Sequence, residues 1–143
     1  MDRDHLSNCA RLYAAIFNRA PWKGKWTAKT AGKHIQECLQ DPNFRGLIAL
    51  HDSALVGFAY GLIQQWESER HFYLKEMCVD SRKQRGGVGT RLLRQLMKTL
   101  RGEKVRQISL GTERETPAER FYLRLGFATE ARIVIMKKRL RVR

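Results

Sequence analysis

The fold is decided between residues 79 and 90, Val79-Asp80-Ser81-Arg82-Lys83-Gln84-Arg85-Gly86-Gly87-Val88-Gly89-Thr90. A strand-like run, Phe72 to Val79, leads into this stretch. The amphipathic pattern Val88, Leu92, Leu93, Leu96, Met97 and Leu100 leads out of it, with Arg91, Arg94, Lys98 and Arg101 on other faces of the same helix. Three glycines within four residues at a helix entrance let the backbone come close to a ligand, while first-turn N–H groups and the positive helix end point at it. That arrangement suits phosphate, and a diphosphate or larger anion is the expected ligand. Glycines also serve plain strand-to-helix turns, but Arg82, Lys83, Arg85 and Arg91 beside them weigh against so bland a role. Spelling excludes two other phosphate motifs. A P-loop needs Lys before Thr90, where Gly89 stands, and a dinucleotide turn needs a third glycine where Leu92 stands.

Outward from the turn, periodicity predicts the remaining elements. Leu6, Cys9, Leu12, Tyr13, Ile16 and Phe17 mark a first helix ended by Pro21. Thr27 can cap a second helix with the stripe Ala31, Ile35, Cys38 and Leu39, stopped at Asp41-Pro42-Asn43. Leu47 to Leu50, a turn at His51-Asp52-Ser53, and Ala54 to Gln65 predict a hairpin, with Phe72 to Val79 as a third strand. Downstream, Val105 to Leu110 reads as a strand and Pro117 to Leu125 as a short helix with its proline near N1. Phe127 to Met136 reads as a closing strand after Gly126. The order ααβββαβαβ predicts an α/β (α+β) chain with a mixed, mostly antiparallel central sheet and helices on both faces, in one domain spanning residues 1–143.

Composition bounds the function. With 143 residues, 43% hydrophobic and 29% charged, the chain can build one sizeable core and no second one. Its longest nearly apolar stretch, Ala54 to Ile63, falls well short of the roughly 20 residues that cross a bilayer. The start, Met1-Asp2-Arg3-Asp4-His5, lacks a secretory pattern, so a cytoplasmic location is expected. Cys9, Cys38 and Cys78 show no Cys-x-x-Cys spacing and read as small buried residues. His5, His34, His51 and His71 are scattered, so no metal site is expected. The net charge of +14 is concentrated. Residues 82 to 106 hold nine Lys or Arg against Glu103 alone, and residues 137 to 143 hold five with no acid. A focused patch points to a particular anion or face rather than to general adhesion.

The run Gln84-Arg85-Gly86-Gly87-Val88-Gly89 resembles the Gln/Arg-x-x-Gly-x-Gly/Ala signature of the GNAT acyl-CoA N-acyltransferases, here preceded by a strand ending Met77-Cys78-Val79. A second block, Pro117-Ala118-Glu119-Arg120-Phe121-Tyr122-Leu123-Arg124-Leu125-Gly126-Phe127, is similar to that family's segment ending Phe-Tyr-x-x-x-Gly-Phe. The resemblance implies the GNAT fold, with acetyl-CoA as co-substrate and no metal. Its cofactor residues would be Met77, Cys78 and Val79 for the pantetheine arm, and Gln84, Arg85, Gly86, Gly87, Val88, Gly89 and Thr90 for the pyrophosphate. Two departures stand out. The family's first strand is short or missing, since only four residues precede His5, and its asparagine ahead of the second block falls at Glu115.

Amide formation from an amine and a thioester needs a neutral amine, an oxyanion donor and a proton for the departing thiolate. The resemblance assigns that proton to Tyr122 and the oxyanion donor to a backbone N–H of the Met77 to Val79 strand. Glu76, in an otherwise apolar stretch, is the candidate base because burial raises a carboxyl pKa; a plain salt bridge is the alternative reading. Glu67, Glu69, His71 and Tyr73 are alternates. Trp22, Trp26 and Trp66 are candidates for lining the acceptor pocket, and Ile108-Ser109-Leu110-Gly111-Thr112 has a faint likeness to aminoglycoside-modifying members.

The expected function is transfer of an acetyl group from acetyl-CoA to a primary amine of an unidentified acceptor, a small molecule rather than a protein. Two rivals remain open: a basic nucleic-acid-binding module, disfavoured by the lack of aromatics in the basic runs, and a non-catalytic acyl-CoA-binding regulator. No membrane partner is expected, and a homodimer is left open.

Overall fold

The computed structural model describes residues 1–84 and 86–143, so the expected cofactor residue Arg85 lies outside the described residues. The chain divides into two compact units, Met1–Gly111 and Thr112–Arg143.

The first unit opens with α1 (Leu6–Phe17) and α2 (Ala28–Leu39). Buried residues recur at helical spacing: Cys9, Ala10, Tyr13 and Ile16 on α1, then Ala31, Ile35 and Cys38 on α2. A reciprocal cap starts α2. Thr27 Oγ1 accepts from the Thr30 N–H at 3.0 Å, and Thr30 Oγ1 accepts from the Thr27 N–H at 2.9 Å. The intervening loop is held by Asn18, whose side chain accepts from the Trp26 N–H at 2.7 Å and donates to the Trp26 carbonyl at 2.8 Å.

Three antiparallel strands follow, β1 (Phe44–His51), β2 (Ala54–Trp66) and β3 (Glu69–Val79). Asp52 and Ser53 both take left-handed backbone angles, φ 49° and 67°, the conformation that a tight turn needs to match the twist of its flanking strands. The helix α3 (Val88–Gly102) then crosses over, and β4 (Val105–Ser109) pairs parallel with β3, giving the order β1-β2-β3-β4. The expected mixed, mostly antiparallel sheet is therefore observed. Its first strand follows both helices, and no strand precedes α1 among the described residues. The α1–α2 pair packs its apolar stripes on Phe58, Tyr60 and Cys78, while α3 contributes Leu92, Leu93, Leu96 and Leu100 to the core and packs across all four strands. All three cysteines are buried and free.

One irregularity in the ladder decides which way Glu76 faces. Tyr60 opposes Glu76, but its neighbour Gly61 opposes Leu74, so Lys75 is an extra residue in β3. Side chains alternate along a strand, and the extra residue puts Glu76 on the face of Tyr60 and Cys78, toward α1 and α2, leaving Leu74 and Phe72 on the other. Glycine at 61 admits the bulge, because a Cβ there would stand 2.0 Å from the Tyr73 carbonyl oxygen.

In the second unit, α4 (Pro117–Arg124) begins on Thr116, whose hydroxyl accepts from the Glu119 N–H at 3.3 Å. It ends where Gly126 turns left-handed at φ 92°. The Gly126 N–H then donates to the Leu123 carbonyl at 3.1 Å, and the Phe127 N–H to the Tyr122 carbonyl at 3.1 Å. These are the two bonds of a Schellman closure, and the Phe127 ring meets the Tyr122 ring edge-on at 5.5 Å. Here the sequence expectation needs correcting: Phe127 to Met136 forms no strand. Its strand-like composition is real, but composition alone makes a strand only where a partner edge completes the ladder. No helix among the described residues is long and apolar enough to cross a membrane.

Candidate functional site

The open edge of β3 comes first. On its β4 side, β3 is laddered only from Arg70 to Tyr73; from Leu74 to Val79 that edge has no strand beside it among the described residues. Met77, Cys78 and Val79 lie on this unpaired length. Cys78 is fully buried, and burial pushes its thiol well above the ordinary range, so it can offer a ligand its backbone and not a reactive sulfur.

Beyond Val79 the chain makes a single 3-10 turn, Ser81–Lys83, organised by Asp80. The Asp80 carboxylate accepts from the Arg82 N–H at 3.0 Å and from the Arg82 guanidinium at 3.2 Å, and this bonding to Arg82 holds it below the usual carboxylate range. Arg82 is thus already partnered. Gln84 donates from Nε2 to the Val79 carbonyl at 3.0 Å, pinning the turn to the strand end. Gly87 takes a left-handed φ of 79° as the residue before α3, and a Cβ there would meet nothing within 4 Å. Among the described residues, the backbone N–H groups of Gly87, Val88, Gly89 and Thr90 find no backbone or side-chain acceptor. Four donors at a helix start, with open space beside Gly87, form an anion cradle. Arg91 instead lines a cleft of about 380 Å³ between α3 and β1, with Leu47, Val56 and Gln95.

Glu76 sits on the other side of β3. The Tyr13 hydroxyl donates to Glu76 Oε1 at 3.1 Å, and His34 Nε2 lies 3.1 Å from that same oxygen. Burial raises the Glu76 carboxyl above the ordinary glutamate range, outweighing the hydrogen bonds from His34 and Tyr13 that lower it. Tyr13 is pushed up as well, first by its own burial and then by the Glu76 charge. Oε2 has no partner among the described residues, and the side chain keeps 16% of its surface exposed. A partly desolvated carboxylate with one oxygen anchored and the other available can take a proton.

Aromatic rings surround this group. Trp26 packs edge-on against Tyr13 at 5.0 Å and lies 5.2 Å from the His34 ring, and Trp22 packs against Phe17 at 5.0 Å. Trp22 and Trp26 therefore belong to one cluster at the α1–α2 loop. Trp66 does not join them. It stacks on His71 near the β2–β3 turn, six positions along β2 from Tyr60, a distance of about 20 Å at strand rise. Glu69 and His71 pair at 2.7 Å at that same end. Sequence reasoning missed Tyr13 and His34. In the sequence Tyr13 reads only as one of the apolar residues of a helix face. His34 has no metal-ligand spacing, although it lies one turn after Ala31 and one turn before Cys38 and so flanks the buried stripe of α2. Among the described residues, no group of His, Cys, Asp and Glu could hold a metal ion. Tyr122 lies in the second unit, half-buried, its backbone held by the Gly126 closure.

The Acetyltransferase (GNAT) family model matches residues 9–127, and the chain belongs to that family. Solved structures with the same fold include an aminoglycoside acetyltransferase from an uncultured soil metagenomic sample in complex with sisomicin. It is 19% identical, with 99% of this chain and 93% of that chain covered at a TM-score of 0.77. The aminoglycoside N-acetyltransferase AAC(6')-Iy in complex with CoA is 22% identical, covering 98% of this chain and 92% of that one at 0.78. A transcriptional regulator from Bacillus halodurans C-125 is 16% identical, with 96% of each chain covered at 0.79. No curated protein matches the chain in sequence. Identities this low carry the fold, and function has to be argued from the site.

Proposed function

We propose that the protein is an acetyl-CoA-dependent N-acetyltransferase that modifies a primary amine of a small acceptor by direct transfer. The observation that carries this reading is the pairing of an unladdered β3 edge, Leu74–Val79, with unsatisfied amides at residues 87–90 immediately downstream. One feature suits an amide-bearing pantetheine arm, the other a diphosphate, and CoA contains both. The cradle residues present fit such a ligand, with Gln84, Gly86, Gly87, Val88, Gly89 and Thr90 at the phosphates and Met77, Cys78 and Val79 at the arm. Acetyl-CoA supplies the acetyl group as an activated thioester.

The chain's own residues handle the protons. Glu76 Oε2 takes one from the acceptor ammonium, freeing the nitrogen lone pair for attack on the carbonyl carbon. As the C–N bond forms and the C–S bond breaks, a backbone N–H of Met77–Val79 donates to the carbonyl oxygen, the Tyr122 phenol gives its proton to the departing sulfur, and the second proton, shed by the acylated nitrogen, passes through water to restore the phenol. Trp22 and Trp26 flank the acceptor amine, where aromatic faces attract an ammonium. Trp66, stacked on His71 near the β2–β3 turn, is left out of this reading of the pocket. The test is thiol release from acetyl-CoA across a panel of small primary amines, with calorimetry for CoA binding. Acceptor-dependent thiol release supports the proposal, and failure to bind CoA ends it.

A further inference from the structure

The cleft between α3 and β1 takes no part in the transfer. It holds about 380 Å³, and its walls are largely apolar, with Leu47 and Leu50 from β1, Val56 from β2, and Val88 and Leu92 from α3. Small-molecule sites have volumes of this order and linings of this kind, apolar with a few polar groups that fix orientation. The concavity is built into the ladder. Ala49 opposes Gly57 and Leu50 opposes Leu55, so Val56 is an extra residue in β2. An extra residue bends its strand, and such bulges recur beside binding sites. The Val56 side chain is buried, and its carbonyl accepts from the Asp80 N–H at 2.8 Å. Leu50 keeps 57% of its surface exposed, an apolar group turned to water.

The polar groups of the cleft select the charge of its ligand. Arg91 and Gln95, one turn apart on α3, both line it, His51 is the third, and no Asp or Glu lines it among the described residues. Arg91 closes the first turn of α3, where a cation opposes the positive helix end, and Arg94 adds a like charge three positions on. Arg45 and Arg82 are held by Glu103 and Asp80, but the Arg91 guanidinium has no acceptor among the described residues. A free guanidinium beside apolar walls fits a carboxylate, which takes two parallel hydrogen bonds from it.

We infer that this cleft is a second ligand site, which takes a small monocarboxylate with an unbranched apolar chain. The carboxylate meets Arg91 and Gln95, and the chain lies against Leu47, Val56 and Leu92. The contacts here are side chains, whereas the cradle at residues 87–90 offers backbone amides, so the two are filled independently.

Titrating butyrate, hexanoate and octanoate into the isotope-labelled full-length chain tests this through backbone amide shifts, with hexylamine as the cationic control. Saturable shifts are expected at Leu47, Val56, Val88 and Gln95, with affinity rising about fourfold for each methylene that the cleft covers. Arg91→Gln should weaken hexanoate at least about tenfold. Gln95→Trp, at an exposed position, should fill the cleft and abolish the shifts, with helical circular dichroism unchanged in both variants. Saturating CoA should leave the hexanoate titration in place. No saturable shift by about 10 mM hexanoate overturns the inference, as does hexylamine binding equally well or a titration unchanged in either variant. Displacement of hexanoate by CoA would also overturn it, since the carboxylate would then be sitting in the cradle.

Discussion

His34 Nε2 lies 3.1 Å from Glu76 Oε1, the same oxygen that accepts the Tyr13 hydroxyl. Two helices thereby grip one carboxylate oxygen of a strand residue and leave the second available. The charged and titratable neighbours of Glu76 are Tyr13 on α1, His34 on α2, Tyr60 on β2, and Lys75 and Cys78 on β3. Of these, the His34 hydrogen bond contributes most to holding its pKa down against burial.

Replacing His34 by Ala should therefore raise the Glu76 pKa further, and the acid limb of the kcat/KM profile should move to higher pH. His34→Gln keeps a donor and should fall between Ala and wild type. A pH–rate series on the three proteins measures this, and coincident acid limbs would show that His34 serves packing alone.

Stability should follow the same carboxyl. Because its folded pKa is raised above the unfolded one, Glu76 contributes stability below the ordinary glutamate value that is lost as pH rises through the folded value. Glu76→Gln carries no such titration. Melting temperatures from about pH 4 to about pH 8 should show wild type losing ground to the variant as pH rises, the opposite of a carboxylate held in a favourable salt bridge.

Most of the fold was legible because periodicity reports burial. The stripes of α1, α2 and α3 and the turn at Asp52-Ser53 stand where the pattern put them. The closing strand was not legible, because Ile133 to Met136 carry strand composition whether or not a partner edge is present. Within the site, Glu76 was found as a carboxylate in an apolar run. Its partners were missed because Tyr13 and His34 lie 63 and 42 residues away, and no spacing rule connects them. The three tryptophans shared a residue type and not a location: Asn18 folds Trp26 back onto Tyr13, whereas Trp66 goes with the hairpin end.

Tyr122→Phe should cut turnover by about 100-fold if the phenol protonates the departing sulfur. CoA affinity should change little, because the Schellman closure and the ring contact with Phe127 do not use the hydroxyl. Thiol-release kinetics beside calorimetry separate the two, and equal turnover would remove the acid role.

Gly87→Ala tests the cradle. With φ at 79°, a side chain there costs about 1–2 kcal/mol in backbone strain, although the Cβ itself meets nothing within 4 Å. The melting temperature should fall modestly. CoA affinity should fall by more than that strain accounts for, since relaxing the backbone turns the amides of 88–90 away from the anion.

Lys75 makes β3 behave like a text with one inserted letter. Every side chain after it is read out on the opposite side of the sheet from where the preceding alternation would have sent it. Deleting that residue would leave a regular ladder with Glu76 still opposite Tyr60, whereas pairing Lys75 in register would set Glu76 on the face of Leu74 and Phe72. In aligning distant members of such a family, a gap placed one position off in this strand would therefore match Glu76 to a residue of the opposite face.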